Sequence, residues 1–121
     1  ETELSAWDRS SHDGLLTVPD ALTALNRKRV LDLAATHRLP AIYEADNFAR
    51  DGGLMSYGPD EAETVERGAS LVERILKGEK PADLPLEQPT RFRLTINLKT
   101  AQALGLTIPQ SILLLADEVI E

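Results

Sequence analysis

Apolar residues first bunch at Leu15, Leu16 and Val18, between the turn signal Asp13-Gly14 and the break Pro19-Asp20. A short run bounded by breakers predicts a buried β-strand. Asp20 stands where a helix N-cap belongs, and Leu22, Leu25, Arg29 or Val30, Leu33 and Ala34 then recur at helical spacing. That spacing predicts one continuous helix of about four turns, closing near His37. A second short strand follows at Ala41, Ile42 and Tyr43, entered through Pro40. Strand, helix and strand in this order imply a right-handed βαβ unit and a parallel sheet.

The segment EADNFARDGG reads as a short helix or turn, and GLMSYG as a third strand that Gly58-Pro59 breaks. An amphipathic helix starts at once, with Asp60 as N-cap and Glu63 three residues on, a capping-box variant. Glu61 and Glu63 load its first turn, Arg74 and Lys77 its last, and Gly78 supplies the stop. Ala62, Val65, Ala69, Val72 and Leu76 make the face it should bury. Pro81, Pro85 and Pro89 then enforce an extended connector. RFRLTINL alternates strictly, with Phe92, Leu94 and Ile96 on one face and Arg91, Arg93, Thr95 and Asn97 on the other, which predicts a strand with one wet face. A short helix follows, capped by Asn97 and stopped by Gly105. The final run, TIPQSILLLADEVIE, has no period that decides between helix and strand.

The totals narrow the function. The chain has 121 residues, enough for one core but small for two. Its net charge of −7 argues against a nucleic-acid backbone as main partner. With no cysteine there is no disulfide scaffold, thiol nucleophile or thiolate metal site. No apolar run is long enough to span a bilayer. The chain opens without an initiator Met or a signal-peptide pattern, and is expected to begin inside something longer, with Leu4, Trp7 and Ser11 as the tail of a helix. His12 and His37 have no metal-ligand spacing, no G-x-S-x-G, P-loop or dinucleotide fingerprint occurs, and the acidic residues fall mainly on caps and turns. No cofactor and no catalytic group are therefore expected. In open parallel sheets, ligands sit outside the carboxyl ends of the strands. Those ends carry Asp20, Tyr43-Glu44 and Ser56-Tyr57, a set suited to a small polar solute or to ordinary caps and strand ends.

The stretches DGLLTVPDAL, LPAIYE, GGLMSYGPD and ILKGEKPADLPLEQPTRFRLTINLKTAQALGLTIPQSILLLADEVIE resemble the C-terminal half of ABC-transporter substrate-binding proteins, in a group where some members bind aromatic amino acids. The resemblance implies an α/β lobe of the type I periplasmic-binding-protein fold, incomplete because the N-terminal lobe is absent. It implies residues 1–58 as a βαβ ligand-binding lobe, 59–83 as a crossing helix and connector packing on the other lobe, and 84–121 as the return crossing, strand and C-terminal helix or tail. Asp20, Tyr43, Glu44 and Tyr57 would then meet the solute, with Tyr57 on the hinge side. The implied partners are a small-molecule solute, possibly an amino acid, and an ABC permease, at a periplasmic or extracytoplasmic location. Without a second lobe, the apolar helix stripe should be covered by another copy in a homodimer, or fold back on its own sheet. Two other functions fit less well: an effector-sensing domain of a transcription regulator with the same fold, and an enzyme, for which no nucleophile–base pair is present.

Overall fold

The computed structural model describes residues 14–121. The expected helix tail around Leu4, Trp7 and Ser11, and His12, lie outside these. The elements in chain order are β1 (Leu15–Leu16), α1 (Ala21–Leu25), α2 (Arg27–Thr36), β2 (Ala41–Tyr43), α3 (Asp46–Arg50), β3 (Met55–Pro59), α4 (Glu61–Leu76), a 3₁₀ turn (Pro81–Asp83), β4 (Phe92–Asn97), α5 (Leu98–Leu104), α6 (Gln110–Leu113) and β5 (Glu118–Ile120). The strands form one sheet in the order β1-β2-β3-β4-β5. β1, β2 and β3 are parallel, as are β4 and β5, while β3 and β4 run antiparallel. The sheet is thus mostly parallel within a mixed α/β fold.

Directly paired residues share a face, and neighbours along a strand alternate. Tyr43, Ser56, Thr95 and Glu118 therefore form one row, and Ile42, Met55, Ile96 and Val119 the adjacent row on the other face. The first face carries the main core. There Tyr43 stacks on Phe48 of α3, with ring centroids 4.8 Å apart. Ala34 of α2 and Ala41 complete the buried cluster, and Leu15, Val30 and Leu31 pack around it. Burying an aromatic ring of this size contributes roughly 2–3 kcal/mol, so Tyr43 and Phe48 dominate a core otherwise built from alanines. Gly53 permits the packing, because a Cβ there would lie 2.6 Å from the Tyr43 ring.

Four expectations need correction. The first helix is two: Asn26 breaks it with φ −106° and ψ 25°, while its side-chain amide donates to the Leu22 carbonyl. Asparagine competes in this way for backbone groups. Leu22 and Leu25 are left exposed, and only α2 packs on the sheet. The first strand keeps only two ladder residues, with Leu16 at 70 % exposure, because it is a sheet edge. The return strand is wet only at its start, and Thr95, Ile96 and Asn97 are all buried. Finally, the face predicted for burial on α4 is not buried, for none of its sixteen residues is. Val65, Val72 and Leu76 stand 55–82 % exposed, and the helix does not fold back on the sheet.

The unsettled C-terminal run becomes α6 and then β5, which extends the sheet beside β4. Glycine stops operate where expected. Gly78 takes φ 103° after α4, and Gly105 takes φ 73° after α5. α2 closes the same way with a less suitable residue: Arg38 adopts φ 50° while its N–H reaches Ala35 and that of Leu39 reaches Ala34.

Candidate functional site

The carboxyl ends of β1, β2 and β3 lie side by side, and the chain leaves each through a polar residue. Thr17, after β1, donates its hydroxyl to Glu44, after β2, at 2.7 Å. Asp20 accepts from the Leu22 amide at 2.7 Å and so caps α1 as expected, while remaining exposed. Beyond β3, Asp60 caps α4, accepting from the Ala62 and Glu63 amides at 2.9 and 3.4 Å. The main chain is tight here. A Cβ on Gly58 would stand 1.8 Å from the Glu44 carbonyl oxygen, so only glycine lets β3 pass the end of β2.

A cavity of about 250 Å³ opens at this junction, lined by Glu44, Asp46, Arg50, Asp60, Glu61 and Arg93 among others. Its wall is an ion network. Arg50 meets Glu118 at 2.8 Å and Asp46 at 3.1 Å, and Arg93 reaches Glu118 at 3.4 Å. The Arg50 hydrogen bonds, reinforced by the charges of Arg50 and Arg93, hold the Glu118 carboxyl below its usual range. The site thus presents both signs of charge, an arrangement that suits a small zwitterion or polar molecule. A larger groove of about 570 Å³ lies beside α1 and α2, but ion pairs Arg27–Asp51 and Lys28–Asp32 span its lining and it holds none of the candidate residues.

The two tyrosines are not brought together. Tyr43 pairs with Ser56, so Tyr57 is one residue out of step and points to the opposite face. Tyr43 is 1 % exposed in the core, and burial pushes its phenol up to about 12. Its side chain packs against Phe48 in this core. Tyr57 is 54 % exposed, and its ring stacks on Phe92 of β4 at 5.6 Å. Of the four candidate residues, Asp20, Glu44 and Tyr57 reach the surface at the strand ends, and Tyr43 does not.

Sequence reasoning missed Phe92, Arg50 and Arg93. Alternation puts Phe92 on an apolar strand face, but its pairing opposite Pro59, diagonal to Tyr57, is a long-range register that no local pattern carries. Arg50 and Arg93 converge from α3 and β4 for the same reason. The Asp60–Glu63 box is also only half made. The Asp60 N–H donates to the Arg91 carbonyl at 3.0 Å, and Glu63 turns instead to the returning chain. There it accepts from the Thr90 hydroxyl at 2.7 Å and the Arg91 amide at 2.8 Å. These bonds hold the Glu63 carboxyl down at about 2. Among the described residues no group of His, Cys, Asp and Glu is placed to hold a metal ion. No helix among them is long and apolar enough to cross a membrane.

Comparison with solved structures finds this architecture in larger proteins. The ABC domain from Streptococcus pneumoniae in complex with L-Trp is similar at a TM-score of 0.86 and 29 % identity, over 98 % of this chain and 39 % of that one. A conserved domain protein from Vibrio cholerae O1 biovar El Tor is similar at 0.84 and 26 %, over 88 % of this chain and 36 % of its own length. A ligand-free, open substrate binding protein with adhesive properties from Clostridium difficile shares the fold at a TM-score of 0.59 and 20 % identity. The chain thus spans less than two-fifths of the structures it matches. A search of curated proteins gives no match. The family model for ABC transporter substrate binding proteins matches residues 8–120, nearly the whole chain, and this protein belongs to that family.

Proposed function

We propose that the chain forms one half of a solute-binding protein that captures a small molecule in a cleft between two lobes and delivers it to an ABC permease. It does so outside the cytoplasm and without catalysing a reaction. The observation that carries this reading is the half-exposed Tyr57 ring, backed by Phe92, at the carboxyl end of β3. Aromatic rings at a surface usually lie against an apolar partner. A charged cavity opens at the same strand ends, with its Arg93 on the sheet face opposite these rings, and offers carboxylates and guanidinium groups to a solute's polar groups. An amino acid meets both demands, and one similar structure holds L-Trp. Asp20, Glu44 and Tyr57 contact the solute in this reading, and residues 59–83 cross to the second lobe. The effector-sensing domain of a transcription regulator shares this geometry, but family membership favours transport.

Where the chain stands without a second lobe, another copy covers the apolar stripe of α4, and the protein is a homodimer. The reading is tested by a thermal-shift screen of this chain, and of a two-lobed form, against amino acids, nucleosides, sugars and polyamines. A ligand at about 100 times its dissociation constant stabilises the folded state by roughly 2.7 kcal/mol, a shift of several degrees. Stabilisation of the two-lobed form by an amino acid supports the proposal. Silence across all four classes contradicts it.

A further inference from the structure

Ser56 of β3 and Thr95 of β4 stand directly opposite each other on the face of the sheet that α3 covers. Both are sealed from solvent, at 1 % and 0 % exposure, and neither hydroxyl finds a hydrogen-bond partner among the described residues. Buried hydroxyls are almost always bonded, because an unpaired one has given up its hydration with nothing in return. The other members of the row are engaged elsewhere. On one side the Tyr43 ring stacks on Phe48, and on the other the Glu118 carboxylate accepts from Arg50 and Arg93.

The ladder explains why the two hydroxyls do not bond each other. In an antiparallel pair, hydrogen-bonded and non-hydrogen-bonded positions alternate, with Cα atoms about 5.5 Å apart at the first kind and about 4.5 Å at the second. The Asn97 N–H donates to the Leu54 carbonyl at 2.9 Å, and the Asp60 N–H to the Arg91 carbonyl at 3.0 Å. Counting inward by twos from either bond makes Ser56 and Thr95 a hydrogen-bonded position, where two short side chains stand at the wider separation. One row along the same face lie Gly58 and Arg93, and both line the cavity of about 250 Å³ at the strand ends. Gly58 puts no side chain between that cavity and Ser56.

We propose that an internal water molecule bridges the Ser56 and Thr95 hydroxyls beneath α3, and that it enters from this cavity past Gly58. Water donates and accepts, so it completes two hydroxyls that cannot complete each other, and internal waters make about three such bonds. The bridge links β3 to β4 through side chains, one residue from Tyr57. It is independent of which solute the protein takes.

The test pairs a crystal structure of the whole chain with magnetic relaxation dispersion of water oxygen, which counts long-lived internal waters. The wild type should show density within hydrogen-bond distance of both Ser56 Oγ and Thr95 Oγ1. The double variant Ser56→Ala with Thr95→Val should hold one long-lived water fewer. A double-mutant cycle gives the energetic reading. Each single variant leaves the water short of a partner and should lower the melting temperature by several degrees, and the double variant should lower it by clearly less than the sum. Density that joins the two hydroxyls directly overturns the proposal, as does an equal water count in wild type and double variant. Single variants that melt at or above wild type, with additive effects, mean that the hydroxyls are simply unpaired, and overturn it too. Where the double variant does not fold, the wild-type density alone decides.

Discussion

Gly58 lies so close to Glu44 that a Cβ on the glycine would stand 1.8 Å from the Glu44 carbonyl oxygen. The obstacle is backbone at the end of a parallel strand, and it cannot rotate away as a side chain could. Gly58→Ala must therefore push β3 from β2 at the strand ends that form the candidate site. The expected loss is on the order of 3 kcal/mol, read as a lower denaturation midpoint. A change within about 0.5 kcal/mol would show that β3 passes Glu44 less closely than described.

Arg38 holds the left-handed position that closes α2, at φ 50° and with its side chain exposed. A residue with a Cβ is strained there, and glycine is not. Arg38→Gly is expected to stabilise the fold by about 1 kcal/mol, seen as a higher melting temperature. A lower melting temperature would mean that the arginine makes a contact worth more than the strain it bears.

Glu63 links α4 to the returning chain as an ionised acceptor, with its folded-state pKa lowered from 4.5 to about 2 by the Thr90 and Arg91 hydrogen bonds first. A lowered carboxylate pKa means that the unfolded chain binds the proton more readily. The stabilisation is then complete above the unfolded value and is lost as pH falls through the folded one. The stability difference between wild type and Glu63→Gln should be constant above about pH 5 and shrink from pH 4.5 towards pH 2. A difference that does not change across that window would mean that the carboxylate is not held in this way.

The apolar stripe of α4 gives an independent prediction about assembly. Val65 is 70 % exposed and Val72 55 % exposed on a helix none of whose residues is fully buried. If a second copy covers them, the chain sediments as a dimer, and Val65→Lys with Val72→Lys converts it to a monomer of nearly unchanged stability. A wild-type monomer at all concentrations would leave the stripe to a second lobe.

What was legible in the sequence was local. Asp60, the acidic first turn and Gly78 bracket α4 within one residue, because caps and stops act over a few positions. The strand starting at Phe92 was equally readable from its alternation. The failures came from relations between distant segments. Whether Tyr43 and Tyr57 share a face depends on the register of β2 with β3, which a one-residue shift reverses. The antiparallel return of β4, the approach of Arg50 to Glu118 and the stacking of Phe92 on Tyr57 are likewise contacts between distant segments. The break at Asn26 was visible as a residue type but not as an event, since asparagine is also tolerated inside helices.

The measurement that bears most directly on the central claim is the affinity of the two-lobed protein for its solute, by calorimetry, in wild type, Tyr57→Ala and Tyr43→Phe. Tyr57 is the exposed ring at the strand ends, and Tyr43 is a core ring on the other face. The account predicts that Tyr57→Ala weakens binding roughly tenfold or more, about 1.4 kcal/mol, while Tyr43→Phe binds as wild type does. Unchanged affinity in Tyr57→Ala would contradict it, and would move the solute away from the end of β3.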